Sequence, residues 1–167
     1  MNYMICAGVV FGLAVAPALA DQRTPDGVAA VQACVAAMDD TGASIADCPA
    51  QAFVLCDAAQ DDRATFDCIV ATGAYLQDRA DHWLAVLPEK APGESSFQTF
   101  TYERRLSALR QTKRQADCGL IPRDPRILAQ ENGPQIMCDV FEAANDWIIA
   151  RNLARRAGLL ETAGSGQ

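Results

Sequence analysis

The spacing of apolar positions divides the chain into helices. The longest run is Phe66, Ile69, Val70, Gly73, Leu76, Ala80, Trp83, Leu84 and Leu87. Its three–four spacing predicts one amphipathic helix of about six turns. Asp61 or Asp62 supplies its N-cap, and Pro88 with Pro92–Gly93 ends it. Upstream, Val28, Val31, Val35 and Met38 recur at helical spacing behind Thr24–Pro25–Asp26, which reads as a capping hydroxyl, a first-turn proline and an acid facing the helix dipole. Thr41–Gly42 closes that segment. Ser44-x-x-Asp47 begins a short turn, and Pro49 fits the first position of a helix running through Ala52, Phe53 and Leu55 to Cys56.

Downstream, Ser95-x-x-Gln98 is a capping box. The helix it opens is expected to turn Phe97, Phe100, Leu106, Leu109 and Ala116 inward and to end at Cys118–Gly119. Asp124–Pro125 caps a short helix through Ile127 and Leu128. Ile136, Val140, Ala144, Trp147 and Ile148 line one side of the last helix, with Gly158 as its C-cap. No strand–helix alternation and no internal repeat is present. The predicted class is all-α: an irregular antiparallel helical bundle.

The N-terminus changes the setting. Residues 1–20 carry an apolar core, Val9 to Val15, and end in Ala18–Leu19–Ala20, the small-x-small pattern of a cleaved signal peptide. Pro17 and Asp21 argue against a membrane anchor, so no stable span is expected after cleavage. Removal leaves 167 − 20 = 147 residues, which suits a single domain over 21–161, with 162–167 a disordered tail. The expected location is periplasmic or secreted.

Six cysteines remain in that mature chain: Cys34, Cys48, Cys56, Cys68, Cys118 and Cys138. An even count in an exported chain reads as disulfides. Metal binding is disfavoured, because no CxxC occurs and His82 is the only histidine. Pairing in sequence order gives Cys34–Cys48, Cys56–Cys68 and Cys118–Cys138, one of about fifteen connectivities open to six cysteines. Each such loop is worth roughly 3 kcal/mol in the chain-entropy model. That makes the expected architecture a bundle stapled by three disulfides.

Charge is unevenly placed around a net −7. Residues 21–92 hold 12 acidic and 4 basic side chains, or −8, whereas 93–167 hold 9 and 10, or +1. Such an acidic half suits either a cationic protein partner or plain solubility. Asp57, Asp61, Asp62 and Asp67 crowd the region between Cys56 and Cys68. Helix capping explains part of that cluster, and contact with a cationic partner such as a lysozyme is its functional reading. The spacing lacks the glycine and terminal Glu of an EF-hand. No cofactor and no metal are expected.

Other candidates are weaker. His82, flanked by Asp78 and Asp81, has no second histidine beside it in sequence and reads as a helix-surface residue. Ser95, Ser96 and Ser107 lack a GxSxG context, so an enzyme is not expected. Arg104, Arg105, Arg110, Lys113 and Arg114, with Arg151, Arg155 and Arg156, form a basic stripe that reads as a solvated face. Overall charge and export argue against nucleic acid. Trp83 and Trp147 fall on apolar faces and read as core anchors.

Three segments together resemble the lysozyme-inhibitor LprI-like family of small exported helical proteins. They are CDAAQDDRATFDC opening the long helix, LRQTKRQADC with Arg114 and Cys118, and ENGPQIMCDVFEAANDWIIAR opening the closing helix. VQACV with IADC is similar to an N-terminal extension of some members. The likeness spans about Val31 to Arg156. It implies a helical scaffold that binds a protein and blocks a lysozyme-type muramidase. The chain departs from the pattern at Thr72 and Leu76, where an acid and a Trp are expected, at Arg110 in place of a Trp, and at Gln115 in place of an Asp. A structural or envelope-associated role without inhibition is the alternative.

Overall fold

The computed structural model describes residues 26–41, 44–59, 61–93, 95–111 and 125–160. Six helices occupy them: α1 (Gly27–Thr41), α2 (Asp47–Asp57), α3 (Asp62–Val86), α4 (Ser96–Arg110), α5 (Pro125–Leu128) and α6 (Gly133–Arg156). No strand occurs among the described residues. The class is all-α, as the periodicity predicted. The expected signal peptide, 1–20, and tail, 162–167, lie outside the described residues.

Local chemistry sets most of the boundaries. Asp61 is extended and its carboxylate accepts from the Ala64 amide at 2.8 Å, which starts α3. Ser95 and Gln98 form the reciprocal capping box of α4. The cap of α1 falls on Asp26, whose carboxylate accepts from the Ala29 amide at 2.9 Å; Thr24 and Pro25 lie outside the described residues. Helix α2 begins at Asp47, two residues before Pro49, because Ser44 and Asp47 exchange hydrogen bonds of 2.9 Å that close the preceding turn. At the end of α6, Gly158 takes a φ of 71°. Its amide donates to the Arg155 carbonyl, and the Leu159 amide to that of Ala154, a Schellman ending.

Helix α3 is the centre of the packing and rests most extensively on α6. Phe66 and Ile69 in its first half share one apolar cluster with Cys56, Ile127, Met137 and Val140. Leu76 and Ala80 share the other with Val31, Tyr102, Trp147 and Leu153. The early halves of α3 and α6 therefore meet each other, as do their late halves, and the two run in the same direction. Adjacent α1 and α2 reverse direction: the start of α1 lies at the end of α2, where a Cβ on Gly27 would fall 2.9 Å from Cys56 Sγ. The same Cβ would be 2.1 Å from Thr72 Oγ1, so only glycine lets α1 descend onto α3 here.

Two disulfides are described, Cys34–Cys48 and Cys56–Cys68, each with Cα atoms 5.5 Å apart. Both follow the sequence-order pairing. Cys138 is buried and disulfide-bonded. Cys118, its expected partner, lies outside the described residues.

Helix α4 differs from expectation in length and in rotation. It ends at Arg110, with Gln111 extended, short of the predicted Cys118–Gly119; Ala116 lies outside the described residues. Phe97 and Phe100, expected inside, are 77% and 60% exposed, while Tyr102, Leu106 and Leu109 face the core. Both faces of α4 carry apolar residues, so periodicity alone leaves its rotation open. Polar contacts settle it. The Tyr102 hydroxyl donates to the Pro88 carbonyl at 2.9 Å, and Arg110 Nη2 to the Leu87 carbonyl at 3.2 Å. These clamp one face of α4 to the chain leaving α3.

Candidate functional site

The end of α2 and the start of α3 form an acidic corner tied by Cys56–Cys68. The disulfide brings Asp57 and Asp67, its chain neighbours on either side, to one locality with Asp61 and Asp62. Asp57 accepts from Arg126 Nη2 of α5 at 2.9 Å. Asp61 is the α3 cap. Asp67 pairs with Arg63 one turn earlier at 3.0 Å, both well exposed. Asp62 is exposed, and its carboxylate has no side-chain partner among the described residues. Three of the four predicted carboxylates therefore also serve the fold. Exposed ion pairs of this kind are weak, so Asp57 and Asp67 remain accessible to a stronger cationic partner.

The corner is not purely acidic. Val54 is 70% and Leu55 41% exposed on the last turns of α2. The buried positions of α2 are Cys48, Pro49, Ala52 and Cys56, so Leu55 lies off its core face. Val54 and Asp57 are three residues apart on one helix and so adjacent on its surface.

Behind the corner lies a cavity of about 140 Å³, lined by Phe53, Asp57, Ile69, Ile127, Met137, Val140 and Phe141. The Phe53 and Phe141 rings stand 5.9 Å apart, tilted by 50°. A shallower groove follows the α3–α6 seam beside Val70, Gly73, Gln77, Ile136 and Asp139. Sequence reasoning missed the cavity, because its wall is assembled from four helices.

The remaining candidates resolve locally. His82 is exposed, its ring edge-on to Trp83 at 5.4 Å. No group of three or more potential metal-ligating side chains occurs among the described residues. Ser95 is used in its capping box, and Ser107 Oγ lies 3.4 Å from Gln111 Nε2. Trp147 is buried in the core; Trp83 is half-buried under Arg79. The basic stripe is divided. Arg110 pairs with Glu89, and Arg156 donates to the Gln98 carbonyl at 2.6 Å while lying over the Tyr102 ring. Arg104 and Arg105 are exposed. Lys113 and Arg114 lie outside the described residues. The sequence reading also missed the outward row Phe97, Phe100 and Arg104, spaced i, i+3, i+7 on α4.

No protein-family model, no curated protein and no solved structure matches the chain.

Proposed function

We propose that the chain is an exported, non-catalytic protein-binding module whose partner is a cationic protein of the lysozyme-type muramidase class. The observation that carries this is the disulfide-tied corner, where Asp57, Asp61, Asp62 and Asp67 gather at the junction of α2 and α3 and exposed Val54 lies one turn from Asp57 on α2. A rigid surface with an apolar residue beside carboxylates suits a basic cleft: the carboxylates speed encounter and Val54 supplies contact area. Inhibition is steric, by covering the cleft. Export rests on the leader pattern of residues 1–20, and the disulfides suit an oxidising compartment. No described helix is long and apolar enough to cross a membrane. The likeness to LprI-like proteins supports the partner class. Thr72 and Leu76, two of the departures from that pattern, are fully buried and so leave the outer surface unaltered.

The test is lysozyme activity against purified mature protein at low and high salt. Inhibition at low salt that weakens with salt is expected. Asp62→Lys with Asp67→Lys should relieve it, since neither carboxylate caps a helix or holds α5. Muramidases that stay fully active at low salt in excess protein would overturn the inhibitory reading. A structural, envelope-associated role is the second reading, favoured by the internal engagement of Asp57, Asp61 and Asp67. Capture of a periplasmic partner by the native protein but not by the charge-reversed one argues against it.

A further inference from the structure

We propose that the cavity between α2, α3, α5 and α6 is a binding site for a small hydrophobic amine, an aromatic or branched aliphatic group bearing one cationic nitrogen. The pocket is partly open to solvent on the Asp57 side and offers about 140 Å³. An apolar space of about 150 Å³ is large enough to take up a benzene-sized body. Six of the seven described wall residues are Phe, Ile, Met or Val, so the space accepts an apolar body.

Among the described wall residues Asp57 is the single charged side chain, and it selects the head group. A carboxylate accepts hydrogen bonds and favours a cation; it disfavours an anion of the same shape. Its present partner, Arg126, approaches from α5 at 2.9 Å, and both side chains are partly exposed, at 36% and 53%. Arg126 is not part of the wall. A ligand ammonium can thus reach Asp57 from the inside while Arg126 remains on the solvent side or swings away. The Phe53 and Phe141 rings, 5.9 Å apart, line the same pocket and add aromatic surface to it. The site is independent of the protein-partner reading, and its test uses no lysozyme.

The full chain with its disulfides intact should be titrated with benzylamine, toluene and benzoate and followed by NMR. Saturable shifts at Ile69, Ile127, Met137 and Val140 are expected with benzylamine. Toluene should bind about ten-fold more weakly, the scale of one charge-assisted hydrogen bond, and benzoate should give no saturable shift. Asp57→Asn should bring benzylamine down to the toluene level. Arg126→Gln, which leaves the carboxylate in place, should preserve or tighten it. Phe141→Trp, which fills the cavity at a half-buried position, should abolish both while thermal melting shows a folded protein. Absence of saturable shifts, benzoate binding equal to benzylamine, shifts mapping away from this wall, or affinity unchanged in Asp57→Asn would each overturn the proposal.

Discussion

Gly73 of α3 lies directly against Val140 of α6. A Cβ at Gly73 would sit 2.6 Å from Val140 Cγ2, 3.1 Å from its Cβ and 3.2 Å from Cγ1. The Cβ contact does not depend on the Val140 rotamer, so turning that side chain alone does not relieve the crowding. The two longest helices approach one another here because one side contributes no side chain.

Gly73→Ala therefore sets two effects against each other. Helix propensity favours alanine by up to about 1 kcal/mol. Forcing the helices apart in a packed core costs about 1–3 kcal/mol. The clash should win, giving a lower urea midpoint, and Val140→Ala in the same chain should recover part of the loss. A single Gly73→Ala protein more stable than the parent would show that α3 and α6 do not touch at this point.

Asp61 and Asp62 are adjacent carboxylates and both exposed, yet their stability effects should differ. Asp61 accepts the Ala64 amide at 2.8 Å and satisfies one of the open donors of α3. Losing that cap in Asp61→Ala costs about 1 kcal/mol. Asp62→Ala removes only a dipole interaction at the surface and should stay within about 0.5 kcal/mol of the parent. Denaturant melts of the two variants give the comparison. Equal losses would mean that charge, not the hydrogen bond, is what α3 requires at its start.

The helices were legible because their signals are local. The Ser95–Gln98 box, Asp61 and Gly158 are short-range chemistry, and each is found where the residues indicated. The long apolar run of α3 was legible for the same reason, since its other face is polar. What escaped is relational. Thr65 and Thr72 are buried although their types do not announce it; Thr72 lies where α1 and the Cys56–Cys68 link close over α3. Thr72 meets that burial by donating its hydroxyl to the Cys68 carbonyl at 2.8 Å. The acidic corner was visible as a cluster in the chain; its apolar border and the cavity behind it depend on how α2, α5 and α6 converge.

The outward turn of Phe97 and Phe100 carries its own prediction. Their replacement by serine, singly, should change stability by no more than about 0.5 kcal/mol, as for surface positions in general. Tyr102→Phe keeps the ring but leaves the Pro88 carbonyl without the hydroxyl that now reaches it at 2.9 Å, and should cost about 1 kcal/mol. Thermal melts of the three variants decide the rotation of α4. A large loss at Phe97 with none at Tyr102 would place the phenylalanines in the core.

The two described disulfides should differ in their resistance to reductant. Cys34 is half-buried at the margin of the core, and Cys48 is its buried partner. Cys56 is fully buried beneath Gly27 and Thr72, and Cys68 is nearly so. Exchange begins when a thiolate reaches a sulfur, so access governs which bond opens first in the folded protein. Brief treatment with a mild thiol, followed by alkylation and peptide mapping, should label Cys34 and Cys48 while Cys56 and Cys68 stay linked. Urea should erase that order, since unfolding exposes both bonds. Each bond constrains a short loop worth roughly 3 kcal/mol in the chain-entropy model. Loss of Cys56–Cys68 should be the more damaging of the two, because it also removes sulfur from the packing between α1 and α3. Paired Cys→Ala variants test this directly: a Cys56/Cys68 variant as stable as the Cys34/Cys48 variant would deny that bond its place at the centre of the fold.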